Sequence, residues 1–234
     1  MITNGEGGAV RHGNFTNYYE FNSAEERLKL LPNNVWTNCT EKHENSPYLV
    51  LDVGCNSGVL TQLLWQYLSN CTGRNVYILG IDMDSTLIER AVTQNKHPQY
   101  VRYSTLDVME ESAEHNINEY LQSHKRKKFD AICCFAVTMW IHINHHDIGL
   151  KNFLQNLSKL TELFVVEPQP WKCYQTAERR LKKIKNQTFP LFLELKWRTH
   201  IEQEIENFIV ANLGRQKVYE SSLTKWRRKI CFYR

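Results

Sequence analysis

Four short apolar runs set the architecture open to this chain. YLVLDV (48–53), VYILGID (76–82), FDAICCF (129–135) and LFVVE (163–167) have the length of buried strands and are rich in Val, Ile and Phe. The stretches between them follow another period. Leu60, Leu63, Leu64, Tyr67 and Leu68 repeat at helical spacing, as do Leu87, Ile88 and Ala91, and then Phe153, Leu154, Leu157 and Leu160. Strands that alternate with helices need crossover connections, so the expected fold is α/β, a mostly parallel sheet with helices on both faces. A further strand fits 100–106, Ile205–Leu213 reads as helix, and Val218–Tyr219 with Ile230–Tyr233 read as a terminal strand pair. Ligands of such sheets bind beyond the carboxyl ends of the strands. The residues just after each strand are therefore where chemistry is to be sought.

With 234 residues and 42% hydrophobic content the chain suffices for one sizeable core. The expected layout is a flexible leader over 1–13, Gly-rich and polar, and a single domain over 14–234. The start, MITNGEGGAVRHG, has no apolar stretch of signal-peptide length, and no segment approaches the ~20 apolar residues that span a bilayer. A soluble intracellular protein without a membrane partner is expected. The seven cysteines are odd in number and lack paired CxxC spacing, which speaks against a disulfide framework or structural zinc and for a reducing compartment. No cluster of His, Cys, Asp and Glu has ligand spacing, so no metal is expected.

The net charge of +4 is unevenly spread. Lys125–Lys128 form one basic run, Arg179, Arg180, Lys182, Lys183 and Lys185 a second, and Lys225, Arg227, Arg228 and Lys229 a third. Each alone reads as solvated surface; the three together point to a polyanionic partner. Arg179, Lys182 and Lys183 stand at i, i+3 and i+4, which places them on one helix face.

The first strand ends in Asp52-Val53-Gly54-Cys55-Asn56-Ser57-Gly58 and runs into a helix, a turn in which backbone N–H groups can approach a polar ligand. Asp82 closes the second strand, where a carboxylate can accept from a ribose diol. Asp107 follows the third, within reach of an adenine amino group in such a site. The same parts could bind a nicotinamide dinucleotide, but those sites favour GxGxxG, and the pattern here is DxGxNxG. It resembles motif I of the class I methyltransferases, whose Rossmann-like fold binds S-adenosylmethionine. The resemblance implies Gly54 and Asn56 at the methionine end, with Asp52 in the same site, Asp82 at the ribose, and Asp107 and Val108 at the adenine. Asn56 stands where glycine is commoner.

Thr138-Met139-Trp140-Ile141-His142-Ile143-Asn144 follows the fourth strand, and Glu167-Pro168-Gln169-Pro170-Trp171-Lys172 the fifth. The two prolines fix the backbone before Trp171 and Lys172. Trp140 reads equally as core or as a contact residue. His142, just past a strand end, reads as functional.

Together with GNFTNYYEF (13–21), Glu26-Arg27-Leu28, LDVGCNSG (51–58), GID (80–82), VTMWIHIN (137–144) and EPQPWKCY (167–174), these segments resemble the bicoid-interacting-protein-3 RNA methyltransferases, which methylate 5′-terminal phosphates of RNA. The resemblance covers 13–185 and is silent on the last 45 residues. It is nearer the branch that acts on the 5′-monophosphate of histidine transfer RNA and microRNA precursors. It implies a methyl from S-adenosylmethionine, a small structured RNA with a 5′-phosphate as partner, and a cytoplasmic location; a monomer is expected. Arg27 would reach the methionine carboxylate, and Tyr18 and Tyr19 would sit near the methyl or the RNA end. Tyr19, His142 and Lys172 are the expected donors to the phosphate. Trp140, Gln169 and Trp171 would line the substrate, with Trp171 or a tyrosine stacking on the terminal base. Arg179, Lys182 and Lys183 would hold the RNA backbone. A phosphate monoester has a second pKa of about 6, so it needs no general base near pH 7. Two alternatives stay open: a γ-phosphate capping enzyme of a small nuclear RNA, and an idle RNA-end-binding protein. Intact Asp52, Gly54, Asn56 and Asp82 speak against the second. A small-molecule or protein methyltransferase is disfavoured by the basic runs.

Overall fold

The computed structural model describes residues 10–37 and 46–234. Strands β1 (Tyr48–Val53), β2 (Val76–Asp82), β3 (Val101–Thr105), β4 (Phe129–Phe135) and β5 (Thr161–Glu167) run parallel. Strand β7 (Cys231–Tyr233) is antiparallel between β5 and β6 (Lys217–Glu220), giving the order β3-β2-β1-β4-β5-β7-β6. Each parallel connection carries a helix. These are α3 (Val59–Thr72), α4 (Ser85–Thr93), α5 (Ser112–Ser123) and α6 (Thr138–Lys159); α7 (Trp171–Lys185) follows β5, and α1 (Tyr18–Phe21) and α2 (Ala24–Leu28) precede β1. Strand order reverses at β1 and β4, so their carboxyl ends open the crevice in which this topology binds ligands.

Alternation along the strands supplies two cores, one on each face. Leu49, Leu51 and Val53 pack on one face with Ile117 and Leu121 of α5, Ile143 and Leu154 of α6 and Leu181 of α7. Tyr48 and Val50 face the other, with Leu60, Leu64 and Leu68 of α3. Truncating a side chain as buried as Leu64 costs ~2–5 kcal/mol, so either face holds enough apolar surface to fix the sheet.

Two local features differ from the sequence expectation. The leader was expected over 1–13. Residues 1–9 lie outside the described residues, but Val10 is 2% exposed in the core, and a Cβ on Gly13 would come 2.0 Å from Cε2 of Trp140. Gly13 has φ +80°, and its missing side chain lets the chain lie against the indole. Residues 10–13 therefore belong to the fold. The segment predicted helical over 205–213 is α8 (Ile201–Asn207) continued by a wider π turn (Phe208–Asn212).

Helix α6 contains a break at His146 (φ 64°, ψ 177°). Asp147, just past the break, accepts from the N–H groups of Lys196 and Trp197. The WIH segment thus lies in the first turns of a helix. Among the described residues no helix is long and apolar enough to cross a membrane, and the six described cysteines are free thiols; Cys39 lies outside.

Candidate active site

The turn after β1 is held in left-handed backbone. Gly54 (φ +73°), Asn56 (φ 52°) and Gly58 (φ +75°) all lie there, and Gly58 starts α3 with its Cα facing the Tyr103 hydroxyl, where a Cβ would come within 2.4 Å. Asparagine tolerates that region because its short amide bonds locally. Asn56 Oδ1 accepts from Ser57 N–H at 2.8 Å, and its Nδ2 donates to Phe15 O at 3.0 Å. The Asn56 N–H in turn donates to Asp82 Oδ2 (2.9 Å), while Asp84 N–H donates to Oδ1 (3.1 Å). The second strand's carboxylate thus anchors the first strand's turn, and each of its oxygens keeps a lone pair for a ligand hydroxyl.

A cavity of about 300 Å³ opens at this edge. Every expected cofactor residue lines it: Asp52, Gly54, Asn56, Asp82, Asp107, Val108 and Arg27, together with Tyr18, Tyr19 and Trp140. Asp52 is buried and accepts from Thr61 Oγ1 at 2.7 Å; burial pushes its pKa up to about 7 despite that bond. Burial likewise raises Asp82, against the backbone N–H groups that lower it. Arg27 is fully buried, with Nε on Glu167 Oε2 at 2.6 Å and Nη2 on the Tyr18 hydroxyl at 3.1 Å. A guanidinium has five N–H groups, so others remain toward the cavity it lines. The Tyr19 hydroxyl donates to Cys55 O at 3.3 Å, and burial raises its pKa well above the usual phenol. Sequence reasoning missed the far wall, made by Arg11, His12, Gly13, Asn14, Asn144 and His145. The donor set fits S-adenosylmethionine: three carboxylates at successive strand ends suit its diol, amine and adenine groups, and a buried arginine suits its carboxylate.

A second cavity of about 880 Å³ adjoins the first, sharing Gly13, Tyr18, Ala136 and Trp140. Its lining differs in kind. Lys172, Arg180, Arg227 and Arg228 contribute to it and, among the described residues, no acidic side chain does, while Phe15, Phe21, Trp140 and Trp226 supply aromatic surface.

Other expected residues lie elsewhere. His142 lines neither cavity: it is 0% exposed, its Nδ1 is 3.1 Å from the Tyr174 hydroxyl, and its Nε2 is 3.5 Å from Asp147 Oδ1. Burial lowers its pKa to about 4, against the pull of Asp147. It is a neutral core histidine, and the expected contact with a phosphate is corrected. Trp171 is stacked between Tyr174 and Phe192, both at 5.1 Å, rather than open to a base, and it lines neither cavity. Gln169 does line the second cavity, but Oε1 accepts from Thr138 Oγ1 and Met139 N–H, and Nε2 donates to Ala136 O. It fixes the turn after β4 rather than offering a free amide. On α7, Tyr174, Ala177 and Leu181 are buried and Arg179, Arg180, Lys182 and Lys183 are all exposed; Arg180 lines the second cavity, and Arg179, Lys182 and Lys183 lie outside its lining.

The geometry agrees with comparisons to known proteins. Residues 51–162 match a methyltransferase domain, and residues 129–234 match the Bicoid-interacting protein 3 (Bin3) family. The Pre-miRNA 5′-monophosphate methyltransferase of Xenopus laevis is 38% identical over 237 residues, spanning 97% of this chain and 93% of the relative. The RNA 5′-monophosphate methyltransferase of Mus musculus is 38% identical over 240 residues, spanning 98% and 84%. Among solved structures, the N-methyltransferase NodS from Bradyrhizobium japonicum WM9 in complex with S-adenosyl-l-homocysteine superposes with a TM-score of 0.53 at 13% identity, over 93% of this chain and 90% of that one. The bifunctional kinase-methyltransferase WbdD gives 0.53 at 16% identity, over 93% of this chain and 41% of that one. These two show the class I methyltransferase fold alone. The relatives at 38% identity over nearly the whole length show more: this chain belongs to the Bicoid-interacting protein 3 (Bin3) family.

Proposed function

We propose that this chain transfers the methyl group of S-adenosylmethionine to the 5′-terminal monophosphate of an RNA. The observation that carries this reading is the meeting of two unlike cavities at Tyr18, Ala136 and Trp140. In one, Asp52, Asp82 and Asp107 outnumber Arg11 and Arg27; the other has four cationic side chains and, among the described residues, no acid. A cationic methyl donor suits the first and a phosphate the second, so the reacting atoms meet where the cavities join. The named RNA 5′-monophosphate methyltransferases among its relatives support the same substrate.

In this reading Asp82 holds the ribose, Asp107 and Val108 the adenine, and Asp52, Gly54, Asn56 and Arg27 the methionine end. Lys172 and Arg180 hold the RNA end, and Trp140 and Tyr18 line the passage between. The Tyr19 hydroxyl stays protonated and spends its hydrogen on Cys55 O, so it ties the first helix to the turn after β1 rather than donating to the phosphate. When bound, S-adenosylmethionine supplies a sulfonium methyl whose C–S electron pair stays on sulfur as the new phosphate O–C bond forms. The protein's part is alignment, since the phosphate oxygen is already ionised near pH 7. No side chain need remove a proton, in keeping with the retirement of His142 to the core. Histidine transfer RNA and microRNA precursors as substrates, and a monomer in the cytoplasm, complete the proposal; the free thiols fit a reducing compartment.

Labelled S-adenosylmethionine offered with one RNA bearing a 5′-hydroxyl, monophosphate or triphosphate tests it. Label on the monophosphate alone is expected. Label on the triphosphate alone would make this a γ-phosphate capping enzyme, and tight binding without label would make it an idle RNA-end-binding protein.

A further inference from the structure

Arg228 reaches the second cavity from the loop between β6 and β7, beyond the segment that carries the motifs. The loop is closed on itself: Arg228 N–H donates to Thr224 Oγ1 and Thr224 N–H donates to Arg228 O, both at 2.8 Å. The Arg228 side chain is 12% exposed, and its Nε and Nη1 are buried without a hydrogen-bond partner among the described residues. Its Nη2 has Cys173 Sγ at 3.7 Å, a weak acceptor. Glu167 does not fill the gap. Its Oε2 takes Arg27 Nε at 2.6 Å and its Oε1 takes Trp226 Nε1 at 2.8 Å, which leaves Arg228 Nη1 at 3.6 Å. One buried carboxylate thus faces two buried guanidiniums, and the surplus positive charge lies at the cavity wall. Open N–H groups on a buried cation cost free energy until something accepts from them.

We infer that Arg228 is the seat of the RNA's terminal phosphate. The inference rests on the proposed function and says which residue reads the group to be methylated. A guanidinium fork matches two phosphate oxygens at once, which leaves the third free to face the cofactor cavity. Lys172 and Arg180 in the same lining add charge without the buried fork. Methylation reduces the charge of the phosphate and so weakens the hold on the product.

The test compares binding of two RNAs that differ only in a 5′-monophosphate or 5′-hydroxyl, to the full chain and to Arg228→Gln and Arg228→Lys, with cofactor affinity as the check on folding. The unaltered protein should prefer the monophosphate by about 10- to 100-fold, the range for hydrogen bonds to a charged group. Arg228→Gln should cut that ratio by about 10-fold, what remains being the charge of Lys172 and Arg180, and raise KM for the monophosphate RNA, with cofactor affinity kept. A ratio that survives in Arg228→Gln overturns the inference. If Arg228→Gln loses cofactor binding as well, Arg228→Lys decides: it keeps the charge but not the fork, so the ratio should fall several-fold, and an unchanged ratio overturns the inference. If the unaltered protein methylates no monophosphate RNA, the proposed function itself falls. Methylation with the ratio intact in the variants removes only the role of Arg228.

Discussion

Arg27 Nε lies 2.6 Å from Glu167 Oε2, in a pair that joins the second helix to the end of β5 with both side chains out of water. Burial alone would raise the Glu167 pKa; the charges of Arg27 and Arg228 outweigh it and hold the carboxyl below its usual range. Removing one partner of such a pair strands a charge, so Glu167→Ala should cost about 3–5 kcal/mol of stability. Urea unfolding measures this. A loss under about 1 kcal/mol, as at surface pairs, would mean that the two groups are not held together in solution.

Asp82 both anchors the turn and faces the cofactor cavity. Asp82→Ala should weaken S-adenosylmethionine by about 1–3 kcal/mol, the cost of hydrogen bonds to a charged group. RNA affinity should hardly change, because the carboxylate lines only the first cavity. An unaltered cofactor dissociation constant in calorimetry would place the ribose elsewhere.

Asp52 sets a pH dependence on cofactor binding. Its pKa is pushed up to about 7, so near neutrality the free protein holds this carboxyl partly protonated. A cationic ligand favours the ionised form, so binding should release a proton and tighten as pH rises through 7. Asp52→Asn should bind more weakly and lose that dependence between pH 6 and 8. Isothermal titration in buffers of different ionisation enthalpy reads the proton release directly, and a flat profile in the unaltered protein would refute the assignment.

For His142 burial shifts the pKa in the opposite direction. Its pKa in the fold, about 4, lies below the ordinary 6.5, so between these values the unfolded chain binds the proton and the fold does not. The histidine therefore contributes to stability above pH 6.5, and that contribution drains away as pH falls toward 4. His142→Ala should destabilise the protein at pH 7 by about 1–3 kcal/mol through the lost partner of Tyr174 and the void left behind. It should leave RNA and cofactor affinity intact at temperatures where the fold holds. Melting curves over pH 4–8 give both readouts, and a selective loss of methylation rate without loss of stability would return His142 to the chemistry.

What the sequence made legible follows from how these elements are buried. Parallel strands covered on both faces read as unbroken apolar runs, so β1 and β2 have the expected bounds and the acids at their ends, Asp52 and Asp82, fall at the cavity. Arg27 came only from the family resemblance, because nothing local ties residue 27 to Glu167. Trp171 was misplaced for the same reason: its stacking partner Phe192 is distant in sequence. His142 could have been found. Met139, His142, Ile143 and Leu150 follow helical spacing and all are buried, a pattern visible once the segment is taken as helix. On α7 the i, i+3, i+4 rule chose Arg179, Lys182 and Lys183, but the buried stripe Tyr174, Ala177 and Leu181 sets the rotation and leaves Arg180, exposed on its flank, at the cavity instead.

That rotation gives a paired test of how RNA is held. Two residues of an α-helix differ by about 200° around its axis, so Lys182 lies roughly 160° from Arg180, away from the cavity. Arg180→Glu removes a cation from the cavity wall and introduces the first acid there, so RNA affinity should fall and the slope of log affinity on log salt should flatten by about 0.7–0.9 for the lost phosphate contact. Lys182→Glu adds the same charge change on the far face, and its effect should be smaller, a screened long-range term alone. Arg180 also lies over the Phe15 ring at 5.0 Å, and Phe15 O accepts from Asn56 Nδ2 in the cofactor turn. A cation–π contact of this kind is worth about 0.5–1 kcal/mol, so a small loss of cofactor affinity in Arg180→Glu alone would report that link, separate from the salt slope. Equal slopes and equal losses in the two variants would mean that RNA lies along the exposed face of α7 and that the second cavity does not receive its end.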